Sequence, residues 1–361
     1  MTEIMHPRPS PIVAALYTLR DLDVDVIIVH GPAGCCFRPA RLLEEDGVRV
    51  VTTALLENDI IFGAKNKLIN TIKKVKEMFN PNLIGIVGTC STMIIGEEIQ
   101  AAVDEANLNI KTIIVEVHAC MGDNTLGAIK TLESAYNIGL ITLDEFKRQE
   151  KMLKRATEIE KEFGMAKKEY IRPNQGDDKA FLAKMIFKQI KNKKNIVIVL
   201  NSKKETTFLF ADILLAINEI NKDYNCSIVN IANLDPKIGL PRIRKDATNI
   251  LNDLKKNGVE INHITGGLDE YPITGDKAAK IIEKNNNFEL KILLGLPHAI
   301  PLTNKEKCIV VTNGPREVEP LRELGYEYVG VELTSHSDVM GTNKIVTSEL
   351  GLELRKIAGV N

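Results

Sequence analysis

Four cysteines, Cys35, Cys36, Cys90 and Cys120, each follow an apolar run and precede a helix-like segment. Cys35 and Cys36 close the segment His30-Gly-Pro-Ala-Gly-Cys-Cys36, Cys90 opens Cys-Ser-Thr92 behind Thr89, and Cys120 sits in His118-Ala-Cys-Met121. A thiol between a strand end and a helix start meets free backbone N–H groups and the positive end of a helix, both of which favour thiolate. Thiolates in such loops are ligands for soft metals and iron–sulfur clusters. Gly31 and Gly34 suit a backbone that must approach a bulky group closely. Set against this, an unpaired cysteine in an α/β protein is commonly a small buried hydrophobe. That is the reading for Cys226 and Cys308, which sit in or beside apolar strands. Cys35 and Cys90 are the stronger ligand candidates, and both readings stay open for Cys36 and Cys120. Two ligands per chain cannot hold a four-iron cluster, but two chains about a two-fold axis can supply four. No C-x-x-C pair occurs, which argues against a zinc ribbon or a thioredoxin-like site.

Other side chains could serve the same region. His118 is a candidate proton donor beside Cys120, with a purely structural role as the alternative. Arg38 follows the first cysteine loop and would either steady cluster charge or lie in solvent. Glu57 and Asp59 read as acids capping a helix N-terminus. His298, Glu332, His336 and Asp338 follow late strands and are weaker candidates to line a substrate cavity.

The elements that must position these residues read as repeated β-loop-α units. Apolar runs at 24–30, 48–56, 83–88 and 111–117 suggest buried parallel strands, with helices expected near 62–79, 96–106 and 125–136. The stretch 142–168 is helical and highly charged, as a solvated connector would be. Further strands are expected at 195–200, 227–231, 259–264, 290–295, 308–312 and 328–333. The expected fold is α/β, with three Rossmann- or flavodoxin-like units and parallel sheets. The expected domains are a cluster-binding domain over 1–140, a helical connector over 141–193, and further α/β domains over 194–288 and 289–361. In such sheets ligands bind beyond the carboxyl ends of the strands, where Cys35, Cys36, Cys90 and Cys120 all fall.

Composition excludes several functions. The net charge of −1 over 361 residues supplies no basic field for nucleic acid. No apolar run is long enough to span a bilayer, and the N-terminus lacks the apolar core of a signal peptide, so a cytoplasmic protein with reduced cysteines is expected. Neither G-x-x-x-x-G-K-[ST] nor a post-strand G-x-G-x-x-G is present, so any ATP and its Mg must be bound by a partner.

Taken in order, the loops resemble the nitrogenase component-1 superfamily. His30-Gly-Pro-Ala-Gly-Cys35 is similar to that family's H-G-P-x-G-C cluster loop. Glu57-Asn-Asp-Ile-Ile-Phe-Gly63 with Lys67-Leu68 resembles its E-x-D-I-V-F-G-G-x-x-K-L segment, and Thr89-Cys-Ser-Thr-Met-Ile-Ile-Gly-Glu-Glu-Ile99 its T-C-x-x-x-x-I-G-D-D-I segment. The chain departs from nitrogenase proper: it is shorter, has no cysteine before Cys35, and shows no Cys and His pair for a separate molybdenum cofactor. The resemblance implies a [4Fe-4S] cluster shared across a homodimer, with Cys35 and Cys90 as ligands. It also implies electrons from an iron-protein-like ATPase, and a nickel tetrapyrrole substrate that is reduced and closed into a lactam ring. A cofactor-assembly scaffold, a reductase of another tetrapyrrole, and a cluster-free binding module are the competing readings.

Overall fold

The computed structural model describes residues 4–167, 169–285, 287–333 and 335–360, and among these every strand pairing within the sheets is parallel. Residues group into two compact units, Pro7–Lys154 and a second formed by 155–360 with 4–6. No helix is long and apolar enough to cross a membrane among the described residues.

The N-terminal unit runs α1 (Pro11–Asp21), β1 (Val26–His30), α2 (Phe37–Glu45), β2 (Arg49–Thr52), α3 (Glu57–Phe62), α4 (Lys65–Phe79), β3 (Leu83–Gly88), α5 (Cys90–Ile94), α6 (Ile99–Ala106), β4 (Lys111–Val115) and α7 (Asn124–Asn137). Its strand order is β2-β1-β3-β4, with β1 central and buried along its whole length. Val26, Ile28, Ile84 and Ile86 meet Leu68, Ile72 and Val75 of α4 and Ile99 and Ala102 of α6 in one core. His30 lies in register with Gly88, so the segments that follow β1 and β3 leave the sheet side by side. The helix expected at 62–79 is α4, which starts at Lys65; the short helix α3 precedes it, started where Asp59 accepts from the Leu56 N–H at 2.7 Å and ended by Gly63 at φ 94°. Helix α1 has no counterpart in the apolar-run reading. Ser10 caps it, Pro11 starts it, and it buries Ile12, Ala15, Leu16 and Leu19.

Helix α8 (Leu143–Glu162) begins in this unit and ends in the next. It is not the fully solvated connector its charge suggests, because Gln149, Met152 and Ile159 are buried. A helix can present charged residues over most of its circumference and still seat a narrow apolar stripe.

The C-terminal unit runs α9 (Lys179–Lys191), β5 (Ile196–Asn201), α10 (Thr207–Asn221), β6 (Ile228–Ala232), α11 (Pro241–Lys256), β7 (His263–Ile264), α12 (Tyr271–Lys284), β8 (Leu290–Gly295), β9 (Cys308–Thr312), α13 (Val318–Glu323), β10 (Tyr328–Val331), α14 (Ser335–Val339) and α15 (Glu349–Ala358). All six strands share one sheet in the order β10-β9-β8-β5-β6-β7, the doubly wound arrangement. Residues 194–288 and 289–361 therefore contribute strands to the same sheet, joined where β8 pairs with β5. Two sheets carry what the sequence suggests as three units, because strand neighbours across a long connection leave no mark in periodicity.

Gly127 of α7 is the tightest helix contact of the N-terminal unit: a Cβ there would lie 1.9 Å from the Pro11 carbonyl oxygen of α1. Backbone cannot yield as a side-chain tip does, so overpacking of about 1–3 kcal/mol outweighs the ~1 kcal/mol that alanine gains over glycine inside a helix. Gly127→Ala should lower the urea midpoint of the chain at unchanged m-value; a raised midpoint would contradict the α1–α7 contact.

Candidate functional site

The cysteine loops leave the carboxyl ends of β1, β3 and β4. Thr89 ties the first two together. Its hydroxyl donates to the His30 carbonyl at 3.0 Å, and a Cβ on Gly31 would fall 2.4 Å from that same hydroxyl oxygen. Gly31 is thus required by the neighbouring strand end. Thr53 holds the loop from the other side, accepting from the Gly31 N–H at 3.0 Å and meeting His30 Nδ1 at 3.0 Å. Burial pushes the His30 imidazole down to about 4, so it is neutral at pH 7. Gly34 has open space where a Cβ would stand.

From this frame the Cys35 N–H donates to the Pro32 carbonyl at 3.0 Å, and Cys36 sits in the left-handed region at φ 56° as it enters α2. Cys90 is the first residue of α5, a five-residue helix where the sequence suggests a loop. Thr89 caps it through Thr92. The Cys90 Sγ accepts from the Ala119 N–H at 3.2 Å, which brings the Cys120 loop alongside the other two. Cys35, Cys36 and Cys90 are half-buried and Cys120 is exposed.

The thiols at 35, 36 and 90 feel one another. Burial first, then the Cys90 charge, raises Cys35; burial first, then Cys35 and Cys90, pushes Cys36 up to about 11. Burial first, and then the neighbouring thiols, oppose the thiolate form that a helix start favours. The same crowding is what a cation relieves: metal charge inverts the local cost of deprotonation. The donor set is soft and suits iron, but among the described residues no three ligating groups converge on one point.

The remaining candidates are distributed around this frame. Arg38 is exposed on the first turn of α2. His118 is half-buried, its Nδ1 has no hydrogen-bond partner, and it lines a cavity of about 730 Å3 with Thr89, Thr92, Met93, Glu116 and Lys130. Asp59 pairs with Lys67 at 2.6 Å, and the hydrogen bond from Lys67 holds its carboxyl below the usual range, a structural role. Phe37 and Ile94, on the helices that follow the Cys36 and Thr89 turns, and Leu56, Ile61 and Phe62, on the segment after β2, are between 65% and 83% exposed. Sequence reading passed over these apolar side chains, since only geometry shows that no neighbour covers them.

His298 is buried and pairs with Glu160. Glu332 is buried and accepts from the Glu349 and Leu350 N–H groups at 3.0 Å each, capping α15. Asp338 is exposed, and the His336 side chain lies outside the described residues. Cys226 donates to the Lys194 carbonyl and Cys308 is packed in the core of the second sheet, as small buried residues.

Because Cys36 stays protonated well above neutrality, its alkylation by iodoacetamide in the metal-free chain should be far slower than that of free cysteine at pH 7.5, rise about tenfold per pH unit from there, and level off only near pH 11. Peptide mass spectrometry showing Cys36 modified at pH 7.5 as fast as free cysteine would contradict the crowded-thiol geometry.

Residues 10–137 match the family described as Nitrogenase component 1 type Oxidoreductase. Over 105 residues the chain is 38% identical to the nitrogenase molybdenum-iron protein alpha chain of Clostridium pasteurianum, a match that covers 26% of this chain and 19% of that one. Two longer matches are component CfbD of the Ni-sirohydrochlorin a,c-diamide reductive cyclase complex. That from Methanothermobacter thermautotrophicus is 54% identical over 98% of each chain. That from Methanosarcina acetivorans is 51% identical over 98% of this chain and 97% of its own. With its cysteine loops on the matched segment and its whole length shared with these relatives, the chain belongs to the CfbD family of reductive cyclase components, within the nitrogenase component 1 type oxidoreductases.

Proposed function

We propose that this chain is the catalytic component of an ATP-dependent reductive cyclase that reduces Ni-sirohydrochlorin a,c-diamide and closes a lactam ring on the route to coenzyme F-430. The observation that carries the reading is the cluster of half-buried thiols at 35, 36 and 90, set at the edge of a parallel sheet among exposed apolar side chains. Full-length similarity to CfbD components supports the substrate class.

In this reading Cys35 and Cys90 from each of two chains hold one [4Fe-4S] cluster, with Cys36 and Cys120 as the alternative thiols. A second copy answers two features at once: it completes a ligand set that is partial in one chain, and it covers Phe37 and Ile94. A thiolate-bound cluster supplies low-potential electrons one at a time, which the reduction of a conjugated tetrapyrrole needs. The chain's own part is to position and insulate. Thr89 and Gly31 fix the two loops, and the Ala119 N–H stabilises charge on the Cys90 sulfur. Gly34 leaves room beside the thiols, and Arg38 offers an exposed positive charge at the rim. His118, half-buried with a free ring nitrogen at the cavity, is the proposed proton donor. ATP and Mg are bound by an iron-protein-like ATPase of the CfbC type, which delivers the electrons.

Two measurements test this. Cys35→Ser and Cys90→Ser should each lose most of the bound iron after anaerobic reconstitution, while Cys226→Ser and Cys308→Ser retain it. Wild-type protein with the ATPase, ATP and reductant should consume Ni-sirohydrochlorin a,c-diamide, and His118→Ala should keep its iron yet lower turnover by roughly 10²–10⁴-fold. Full iron in both loop variants, or no consumption of the nickel substrate by an iron-replete protein, would overturn the reading.

A further inference from the structure

The six-stranded sheet has its switch point between β5 and β8, from which the chain winds outward in both directions. In open α/β sheets that crevice is where ligands bind. Here it is filled from within. Ile159 of α8 packs with Tyr271 of α12 and with Leu296 and Ala299 of the turn after β8, flanked by Ala156 and Phe163. The strand ends beneath are locked together, the Leu296 N–H donating to the Asn201 carbonyl at 2.9 Å and the Asn201 side-chain amide to the Tyr271 carbonyl at 3.1 Å.

A group of ionisable side chains is buried in this plug. His298 Nε2 stands 3.1 Å from the Glu160 carboxylate, with no exposed surface on the His298 side chain, and its Nδ1 has no partner. Glu317, 2% exposed, accepts from the Thr312 hydroxyl of β9 and interacts electrostatically with His298. The Tyr271 hydroxyl bonds Glu160, and the Lys203 ammonium after β5 stands 5.7 Å over the Tyr271 ring. Two carboxylates and a phenol thus face one imidazole and one ammonium, from α8, the segment before α13, α12, the turn after β8 and the segment after β5 respectively. Five ionisable groups are more than packing requires, and a buried pair is weak as a pure stabiliser compared with well-packed apolar groups.

We propose that the last two turns of α8 are a lid on the switch-point crevice of the C-terminal unit, latched by the Glu160–His298 ion pair and tuned by the protonation of Glu317. The latch is proton-linked in a definite direction. The paired carboxylate raises His298 to about 9 against its burial, so its contribution is complete below pH 6.5 and is lost as pH rises through 9. Burial raises Glu317 to about 7, so its contribution is complete below 4.5 and is lost as pH rises through 7, where a second buried anion forms beside Glu160. The same neighbours hold Glu160 below its ordinary value, so its contribution needs a pH above about 4.5. The latch is therefore tightest near pH 5, loosens from there to pH 7 as Glu317 ionises, and loosens further toward pH 9 as His298 loses its proton.

Amide hydrogen exchange of the full chain, followed by mass spectrometry and corrected for intrinsic rates, tests the lid directly. Peptides over 155–162 should lose protection by roughly tenfold or more between pH 6 and 9.5, while peptides in β5 and β8 stay protected. Glu317→Gln should flatten the change between pH 5 and 7 without loss of protection at pH 5. His298→Gln should show at pH 6 the protection that wild type shows at 9.5. Should His298→Gln fail to fold, the flattening in Glu317→Gln alone decides. A 155–162 segment equally protected at both pH values in wild type, or a pH response unchanged in Glu317→Gln, would overturn the proposal.

Discussion

The contact on which the N-terminal unit's chemistry depends is the one between Gly31 and Thr89. Parallel pairing of β1 and β3 puts His30 level with Gly88, so the next residue of each strand meets its neighbour at the sheet edge. A side chain at 31 would collide with the Thr89 hydroxyl; its absence lets that hydroxyl reach the His30 carbonyl. One hydrogen bond and one missing methyl thereby fix the spacing of two loops whose cysteines are 55 residues apart in sequence, at Cys35 and Cys90. Everything proposed for the thiols presupposes that spacing.

Much of this arrangement is legible before any coordinates. The strands at 83–88 and 308–312 have the bounds that their apolar runs suggest, because a buried parallel strand must be apolar on both faces. The placement of Cys35, Cys90 and Cys120 at one edge follows from the β-loop-α alternation alone. What stays hidden is pairwise. That Cys36 adopts φ 56°, that Ala119 donates to Cys90, and that Glu160 reaches His298 over 138 residues depend on tertiary distances that no local pattern encodes. Strand 259–264 shrinks to two residues for the same reason: at the sheet edge only His263 and Ile264 find partners on β6.

The electrostatics of the two units contrast in a useful way. In the C-terminal unit, the buried anions and cations answer one another inside a single chain, so the constellation is self-contained. Around the cysteines, burial and the neighbouring thiols raise the cost of ionising Cys36. Such a group becomes stable in its charged form only when a metal centre arrives. The exposed apolar side chains on the same segments are the packing counterpart of that deficit, surface that one chain leaves unsatisfied.

The central claim is that one metal centre completes two chains. Native mass spectrometry of the anaerobically reconstituted wild-type protein tests it in a single spectrum. The account predicts a dimer carrying the added mass of one four-iron, four-sulfide cluster, which dissociates into metal-free monomers when the cluster is chelated. A cluster of that mass on the monomer, or a dimer equally populated with and without iron, would contradict it.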